Sequence, residues 1–371
     1  MELLGERSSG VWTRRQALQV ASPSQCATEV RRGHWQQPWP GVHADAGGDL
    51  DPVQRAYAAV LASGGADQPV RGPSGRRRLG AVACGRTAAR VHGLVLIDDE
   101  DPATGATQRD VDEVLVWSPR RPVVHVLPDG TRRTLRRRQL RVGPGDLVRL
   151  SSGLWVTSVR RTVVDCAALL TVEAVVCLLD DVLHRGVLTD VDLAQLVEAR
   201  SWCAGAVTLR AACAVADGRA ESPTETLLRL LLQPVLPGLV PQVRVADRTG
   251  RVVARLDLGD GALRLGVEGD GKRGHAGAQM VAKDRRRDRT TDALGWRTER
   301  FRWFDVRRRQ ADVVAVVRDA AREQARRHGL PPPPQATAPG CAGARSGAGR
   351  PRRGWPASRS RRTTRTAAAA P

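Results

Sequence analysis

The stretch RVVARLDLGDGALRLGVEGDGKRGH, residues 251–275, contains two runs of alternating apolar residues on either side of a Gly-Asp-Gly turn signal. This pattern predicts a β-hairpin. Five titratable residues lie on it or directly after it, namely Asp257, Glu268, Asp270, Lys272 and His275. Mg²⁺ prefers oxygen ligands and often needs only one or two carboxylates beside a substrate phosphate. The hairpin therefore predicts a divalent-metal site, at which Lys272 or His275 stabilises charge or transfers a proton.

The length of the turn decides whether the acids of this hairpin meet. If Asp260 and Gly261 form a two-residue turn, Asp257 lies opposite Arg264, and Glu268 is about 13 Å further along the strand. A longer loop brings Asp257 opposite Glu268. The metal site therefore requires a wide turn or a bulge. The alternative interpretation is an exposed hairpin with two solvated faces.

The charge balance indicates a polyanionic partner. The 371 residues include 59 Lys and Arg against 39 Asp and Glu, which gives a net charge of +20. Nearly all of these basic residues are arginines, which contact phosphate or guanine bidentately; a GC-rich coding bias produces the same excess. The aromatic fraction of 3% argues against a stacking surface for single strands. We expect double-stranded DNA as the partner, with a protein partner as the blander alternative.

Cysteine usage and hydropathy predict the compartment. The seven cysteines are scattered without a C-x-x-C pair, which argues against a zinc knuckle and a disulfide framework. They are typical of small buried hydrophobic residues in a reducing cytosol. The N-terminal MELLGERSSG lacks a basic and then apolar signal region, and no run of about 18 apolar residues occurs. We therefore expect a cytoplasmic protein that has no membrane partner.

The chain length predicts two or three domains, of which the first, residues 1–50, has the pattern of a winged helix-turn-helix. Residues 11–19 and 23–33 predict short helices capped by Thr13 and Ser22. The extended HWQQPWPGVHAD would form the wing, and a plain helical hairpin is the alternative. Four arginines of these helices are candidates for DNA contacts: Arg14, Arg15, Arg31 and Arg32.

Residues 51–160 predict a mixed α/β region, and residues 161–218 predict a helical connector. The first contains a loop-like segment at 64–80, a helix from about Val82 to Val91, and the strand-like runs DEVLVWSP, PVVHVLP, VRL and LWVTSV. Arginine-rich turns such as DGTRRTLRRRQLR join these runs. In the connector, Gly186 and Gly218 are expected to end two helices. Arg160, Arg161 and Asp165 form either a buried ion pair or a functional site.

Residues 219–330 predict a third folded region around the hairpin. Its first helix begins with SPTE, in which Ser222 caps, Pro223 occupies the first turn and Glu225 completes a capping box. After the hairpin we expect a charged helix ending at Gly295, a strand RTERFRWF, and a closing helix from about Arg308 to His328. Residues 331–371 are rich in Pro, Gly, Ser, Ala and Arg, which predicts a disordered basic tail.

The segments ESPTETLLRLLL, RLDLGDGALRLGVEGDGKRGH and KDRRRDRTTDALGWRTERFRWFDV, within residues 221–306, resemble an actinobacterial domain of unknown function with a very-short-patch-repair (Vsr-like) endonuclease fold. That domain belongs to the PD-(D/E)xK nuclease superfamily. The resemblance implies a restriction-endonuclease-like α/β/α core with Mg²⁺, or Mn²⁺, at the hairpin.

The same resemblance implies roles for individual residues. Asp257 and Glu268 match the two metal carboxylates, and Asp270 stands where the superfamily has a lysine. Asp270-Gly271-Lys272 is a literal Asp-x-Lys, so a second assignment of the second carboxylate is open. The remaining matches are His275 after the Asp-Gly pair, Glu225 as an acid on the preceding helix that could bind metal, Asp284 and Arg287 on the next helix, and Arg285 beside them as a DNA contact.

The front half, over about residues 10–170, resembles a second family. VWTRRQALQV, ACGRTAARVHGL and GLWVTSVRRTVVDCA are similar to AbiEi-type antitoxins and transcriptional regulators of type IV toxin-antitoxin systems. The resemblance implies a winged helix on operator DNA and a cognate toxin as partner. Pro38 and Pro40 depart from the expected wing because proline cannot donate a ladder hydrogen bond.

The sequence as a whole predicts an α+β multidomain protein that binds DNA. Its domains would be an N-terminal winged helix-turn-helix, a mixed α/β middle region and a C-terminal restriction-endonuclease-like domain. The first functional hypothesis is a Mg²⁺-dependent endodeoxyribonuclease. The alternative is a non-catalytic AbiEi-type regulator or antitoxin that uses the nuclease fold only for binding.

Overall fold

The protein is a mixed α/β structure in which helices alternate with three larger sheets and one two-stranded ladder. The computed structural model describes residues 10–64, 70–71, 77–78, 80–97, 111–116, 122–127, 130, 132–139, 142–201, 203–270 and 278–333; for residues 70–71, 77–78 and 278–284 only the backbone is described. The chain divides into two units, Met1–Pro334 and Gln335–Pro371. All described residues belong to the first unit, so most of the predicted tail lies outside them.

The N-terminal part is a small antiparallel sheet with two short helices. The helix predicted over 11–19 is too long, because Val11–Thr13 form a strand and only Arg14–Ala17 are helical. Its elements are β1 (Val11–Thr13), α1 (Arg14–Ala17), α2 (Pro23–Arg31), β2 (Trp35–Trp39) and β3 (Val42–Asp45), with the strand order β1-β3-β2. The side chains of Thr13 and Ser22 cap the two helices. The pairing of β2 with β3 shifts register between Gln36 and Trp39. Pro38, which has no N–H to donate, lies within that irregularity.

The middle region is built around a six-stranded mixed sheet with the order β10-β11-β6-β7-β9-β8. Its helix α3 packs against the sheet. The elements are α3 (Pro52–Ala62), β4 (Val70–Arg71), β5 (Arg77–Arg78), β6 (Ala81–Ala83), α4 (Gly85–Val91), β7 (Val111–Val116), β8 (Val123–Val126), β9 (Arg132–Arg138), β10 (Leu147–Arg149) and β11 (Trp155–Thr157).

Two sequence-based expectations for this sheet are wrong. The helix expected from about Val82 begins at Gly85, because Ala81–Ala83 form a strand paired with both β7 and β11. The arginine-rich stretch expected as a turn is strand β9, which pairs with β7 and β8. The sequence of β9 shows no alternation of apolar and polar residues, because Leu135 is its only apolar residue. Arg137 instead contacts α3, donating to the carbonyl of Ala62.

The predicted helical connector is helical. It contains α5 (Val159–Ala167), α6 (Val172–His184), α7 (Asp190–Ala199) and α8 (Ala206–Cys213). Helix α6 ends just before Gly186, whose φ of 64° is the left-handed conformation expected of a helix stop. Helix α8 ends at Cys213, so Gly218 does not terminate it and that expectation is wrong.

The C-terminal region is a four-stranded sheet between helices. Its elements are α9 (Pro223–Leu232), β12 (Val240–Ala246), β13 (Val252–Asp260), β14 (Leu265–Asp270), α10 (Ala278–Ala293), β15 (Arg297–Arg302), α11 (Trp303–Arg308) and α12 (Gln310–Arg327). The strand order is β12-β13-β14-β15, and only β14 and β15 run parallel.

Helices α9 and α10 cover opposite faces of this sheet. Gly269 lies against Thr224 of α9, since a Cβ built there would be 2.9 Å from that side chain. Its neighbour Glu268 contacts Arg287 of α10. Adjacent residues of a strand point to opposite faces, so the sheet is the middle of three layers.

The closing helix expected from about Arg308 to His328 is α12, which confirms that prediction. The expected strand RTERFRWF is too long, because it ends at Arg302 and Trp303–Arg308 form the separate helix α11. Helix α11 already begins after Arg302, whose N–H donates to Asp305 Oδ2. At Arg309 the backbone leaves the helical region, with φ −130° and ψ 40°. None of the described helices combines the length and the apolarity required to cross a lipid bilayer.

Candidate functional site

The turn between β13 and β14 has the width that the metal-site hypothesis requires. Asp260 pairs with Leu265, so four residues, 261–264, form the turn. The pairing register, continued from these strands, puts Asp257 opposite Glu268. The narrow two-residue turn is therefore wrong, and the longer loop is confirmed.

Local hydrogen bonds hold this wide turn. Asp260 Oδ1 accepts from the backbone N–H groups of Ala262 and Leu263, both at 3.0 Å. Arg264 adopts a positive φ of 51°, the one left-handed non-glycine residue of the turn. From α12, the amide of Gln324 donates to the carbonyl oxygens of Leu263 and Arg264, at 3.1 and 2.9 Å. Because the turn is fixed from both sides, the register of the two acid-bearing strands is fixed as well.

Asp257 is a half-buried carboxylate with acidic neighbours. Its Oδ2 accepts a hydrogen bond of 2.9 Å from the backbone N–H of Gly269, so the side chain bridges β13 and β14. Burial raises the pKa of Asp257 to about 6, and the negative charges of Glu225 and Glu268 act in the same direction. The Gly269 N–H and the Arg287 guanidinium oppose this shift. Glu225 and Glu268 are therefore each close enough to Asp257 to repel its negative charge.

Glu225 is buried at the first turn of α9, where its carboxylate accepts several hydrogen bonds. Its Oε1 accepts from the hydroxyl of Ser222 at 2.8 Å, and its Oε2 accepts from the backbone N–H of Glu221 at 2.9 Å. The capping box predicted from SPTE is thus present in altered form, since the carboxylate binds the residue before the cap. Oε2 also accepts from the amide of Gln242 on β12, at 2.9 Å.

Glu268 is buried and is held by two arginines. Its Oε2 accepts from Nη2 of Arg287 at 2.8 Å and from Nε of Arg300 at 2.9 Å. Arg300 also donates to both carboxylate oxygens of Asp288, at 2.9 and 2.5 Å. Asp270 lies half-buried at the end of β14, opposite Arg302 in the parallel ladder. Glu268 therefore faces guanidinium groups, whereas Asp257 faces carboxylates.

The described residues contain no group of three His, Cys, Asp or Glu side chains arranged to hold a metal ion. Lys272 and His275 lie outside the described residues, as does the side chain of Asp284. The structure thus brings Glu225 and Glu268 each close to Asp257. The roles of Lys272, His275 and Asp284 stay predictions.

The arginines predicted to contact DNA lie at two places in the fold. Arg285 is exposed on α10, one turn from the network that holds Glu268, and Arg287 is part of that network. The remaining four are exposed on the two N-terminal helices: Arg14, Arg15, Arg31 and Arg32.

Sequence reasoning missed three residues of the site. Arg300 reaches Glu268 because β15 pairs with β14 in parallel, with these two residues as partners. Asp288 belongs to the site because it accepts hydrogen bonds from Arg300. Gln242 reaches Glu225 from a strand position with a positive φ of 56°. Each contact joins elements that are distant along the chain, and no local spacing signals it.

The raised pKa of Asp257 predicts a pH-dependent gain in stability for Asp257→Asn. In the unfolded chain an aspartate titrates near its ordinary value of about 4, whereas in the folded protein Asp257 titrates at about 6. Ionisation in the folded state therefore costs free energy, which is absent below the lower pKa and complete above the higher one. The unfolding free energy of the variant, minus that of the native chain at the same pH, should therefore rise by about 2 kcal/mol from pH 4 to pH 7.

Urea denaturation of both proteins at the two pH values measures this gain. Asp292→Asn, an exposed position on α10, is the matched control and should leave the pH profile as it is in the native chain. A gain from Asp257→Asn that is equal at pH 4 and pH 7 would contradict the prediction.

The site combines a carboxylate group around Asp257 with an arginine-rich network around Glu268. The first resembles the surroundings of a cation, and the second resembles the surroundings of an anion. Comparison of the chain with protein-family models finds no match, and comparison with curated proteins finds none either.

Proposed function

We propose that residues 222–327 form a Mg²⁺-dependent phosphodiesterase that cleaves double-stranded DNA. The observation that carries this proposal is the wide turn at 261–264, which sets Asp257 opposite Glu268, together with the closeness of Glu225 to Asp257. The order helix, three antiparallel strands, helix and parallel strand agrees with the α/β/α core that the resemblance of this region implies.

Asp257 and Glu225 are the residues that would hold the metal. Glu268, expected from the resemblance as the second metal carboxylate, accepts from Arg287 and Arg300 instead. The mutual repulsion of Asp257 and Glu225 contributes to the raised pKa of Asp257, and a divalent cation between them would relieve it. Two carboxylates together with substrate phosphate are an adequate donor set for Mg²⁺. When bound, the ion would polarise the phosphodiester and lower the pKa of an attacking water.

The protein's own residues would bind and orient the DNA backbone. The guanidinium groups of Arg287 and Arg300 lie beside the acids, held in place by Glu268 and Asp288. Arginine grips phosphate oxygens in a planar, bidentate geometry. Arg285 and Arg289 are exposed and four residues apart, so they share one side of α10, where they would contact further phosphates of the duplex. Glu268 acts in this arrangement as the anchor of the two arginines.

Cleavage of supercoiled plasmid by the full chain tests the proposal. We expect nicked circles with Mg²⁺ or Mn²⁺ and none with EDTA. Asp257→Asn, purified in the same way, should lose the activity, whereas Asp292→Asn should keep it. Circular dichroism checks that both variants are folded. The proposal fails if the native chain cuts with neither metal, or if Asp257→Asn cuts as fast as the native chain.

The second candidate function is non-catalytic DNA binding by a regulator or antitoxin with a toxin partner. It is favoured by the arginines on Glu268 and by the lack of a three-ligand metal group among the described residues. It predicts duplex binding without cleavage, and a binding constant that falls steeply with salt because counterions are released from the phosphates. Fluorescence anisotropy with a labelled duplex at several salt concentrations measures this dependence.

A further inference from the structure

A cavity lies in the middle of the chain, far in sequence from the carboxylate site around Asp257. It measures about 480 Å³ and lies between the end of β9, the segment before β10, helix α5, and the segment that joins α7 to α8. Protein interiors are packed like organic crystals, with few voids larger than a water molecule. Pockets for small molecules measure about 300–1,000 Å³. This cavity has the size of a ligand pocket.

The wall formed by the segment between α7 and α8 lies directly on α5. Gly205 has a φ of +83°, and a Cβ built there would be 2.5 Å from the backbone nitrogen of Ala168. The preceding residues Cys203 and Ala204 line the cavity. Backbone therefore lies against backbone at this point of the wall.

Buried ion pairs form one side of the cavity. The side chain of Arg161 is 6% exposed; its Nε donates to Asp165 at 2.8 Å and its Nη1 donates to Asp146 at 2.7 Å. Asp146 also accepts from Nη2 of Arg200, at 2.7 Å. Two arginines and one acid of this group line the cavity itself, namely Arg161, Arg200 and Asp165.

A further arginine reaches the cavity from β9. Arg138 lines the cavity, and its Nη2 donates to Oε1 of Glu113 at 3.1 Å. The buried Arg86 donates to the same oxygen through its Nη1. Counted over these two groups of described side chains, guanidinium groups outnumber carboxylates by one. The guanidinium groups are those of Arg86, Arg138, Arg161 and Arg200, and the carboxylates are those of Glu113, Asp146 and Asp165. The excess positive charge favours an anionic ligand.

Asp165 supplies a second, independent indication of a ligand. Its side chain is 7% exposed, and its Oδ2 has no hydrogen-bond partner among the described residues. Burial raises the pKa of Asp165 because no water solvates the ionised form there. A buried acceptor is normally paired, so a donor from a bound molecule would complete it. Between these polar groups the wall of the cavity is apolar and is formed by Val142, Val164 and Leu169.

We propose that this cavity binds a small organic anion with an apolar body. Its acid group contacts the guanidinium groups of Arg138 and Arg200, and an O–H or N–H group at its other end donates to Asp165. The site is separate from the carboxylate group around Asp257, and the proposal does not depend on nuclease activity.

Isothermal titration calorimetry of the full chain with 4-hydroxybenzoate tests the proposal, because this probe carries a carboxylate, an apolar ring and a hydroxyl donor. We expect saturable binding. Benzoate lacks the donor and should bind about tenfold more weakly, since a hydrogen bond to a charged group contributes on that scale. Phenol lacks the anion and should bind more weakly still. Arg200→Met should weaken 4-hydroxybenzoate at least tenfold, and the exposed Arg210→Met is the matched control, expected to bind as the native chain does.

Asp165→Asn keeps the test decisive if Arg200→Met is poorly folded. The asparagine oxygen would accept from Arg161, which leaves the amide N–H groups facing the cavity. Because Asp165→Asn removes the acceptor that faces the cavity, its preference for 4-hydroxybenzoate over benzoate should be smaller than that of the native chain. Absence of saturable binding by any probe would mean a water-filled cavity and would overturn the proposal. Equal binding of the two acids by the native chain would overturn it as well.

Discussion

Asp180→Ala is expected to lower the free energy of unfolding by about 3–5 kcal/mol. Asp180 is buried on α6, where its Oδ2 accepts from Thr226 and from Nη2 of Arg229, both at 2.8 Å. Its Oδ1 accepts from the backbone N–H of Asp217 at 2.7 Å. Without this carboxylate, the buried guanidinium of Arg229 loses its ion-pair partner. Urea denaturation followed by circular dichroism measures the loss.

Removal of both charges separates the ion pair from simple loss of packing. Burial raises the pKa of Asp180 despite its hydrogen bonds, so desolvation offsets much of what the pair contributes. The double variant Asp180→Ala/Arg229→Met should therefore lose less than the sum of the two single losses. Asp181→Ala is the neighbouring control, because its partner Arg185 is exposed and surface pairs contribute only about 0–1 kcal/mol. Strictly additive losses would contradict the expectation.

Gly205→Ala is expected to lower the free energy of unfolding by about 2–5 kcal/mol, the sum of a backbone and a steric cost. The φ of +83° is unfavourable for alanine. The new methyl group would also lie 2.5 Å from the nitrogen of Ala168 and 2.6 Å from the carbonyl carbon of Ala167. Neither atom can rotate away, because both belong to the last turn of α5 and its cap.

Gly186→Ala separates these two costs. Gly186 has a comparable φ of +64°, but a Cβ there would meet no heavy atom within 4 Å in the described part of the chain. Only the left-handed backbone cost of about 1–2 kcal/mol applies to it. Thermal and urea denaturation of both variants give the comparison. Equal losses for Gly186→Ala and Gly205→Ala would show that the segment between α7 and α8 moves away from α5.

Elements with strong local signals were predictable from the sequence. The hairpin strands, the caps at Thr13 and Ser22, and the helices of the connector depend on contacts between residues close along the chain. Strand β9 was not predictable in this way. Its arginines pair with strands on both sides, and a single apolar residue gives no period to detect.

The candidate site was predictable only in part, for the same physical reason. Asp257 and Glu268 could be selected from the hairpin, but their alignment depended on a turn length that the sequence left open. The turn is held partly by Gln324 on α12, which lies about sixty residues away along the chain. The contact of Arg300 with Glu268 depends on the parallel pairing of β15 with β14, which no short spacing encodes.

Helix α9 ties the candidate site to the helical connector. Glu225 lies at its first turn beside Asp257, and one turn later Arg229 is anchored to Asp180 of α6. A fragment that begins near residue 219 would lack Asp180. The guanidinium of Arg229 and the side of α9 that faces α6 would then be exposed to water. Residues 222–327 are therefore not expected to fold as an isolated fragment, and excision of the connector should disturb Glu225 before it disturbs the hairpin.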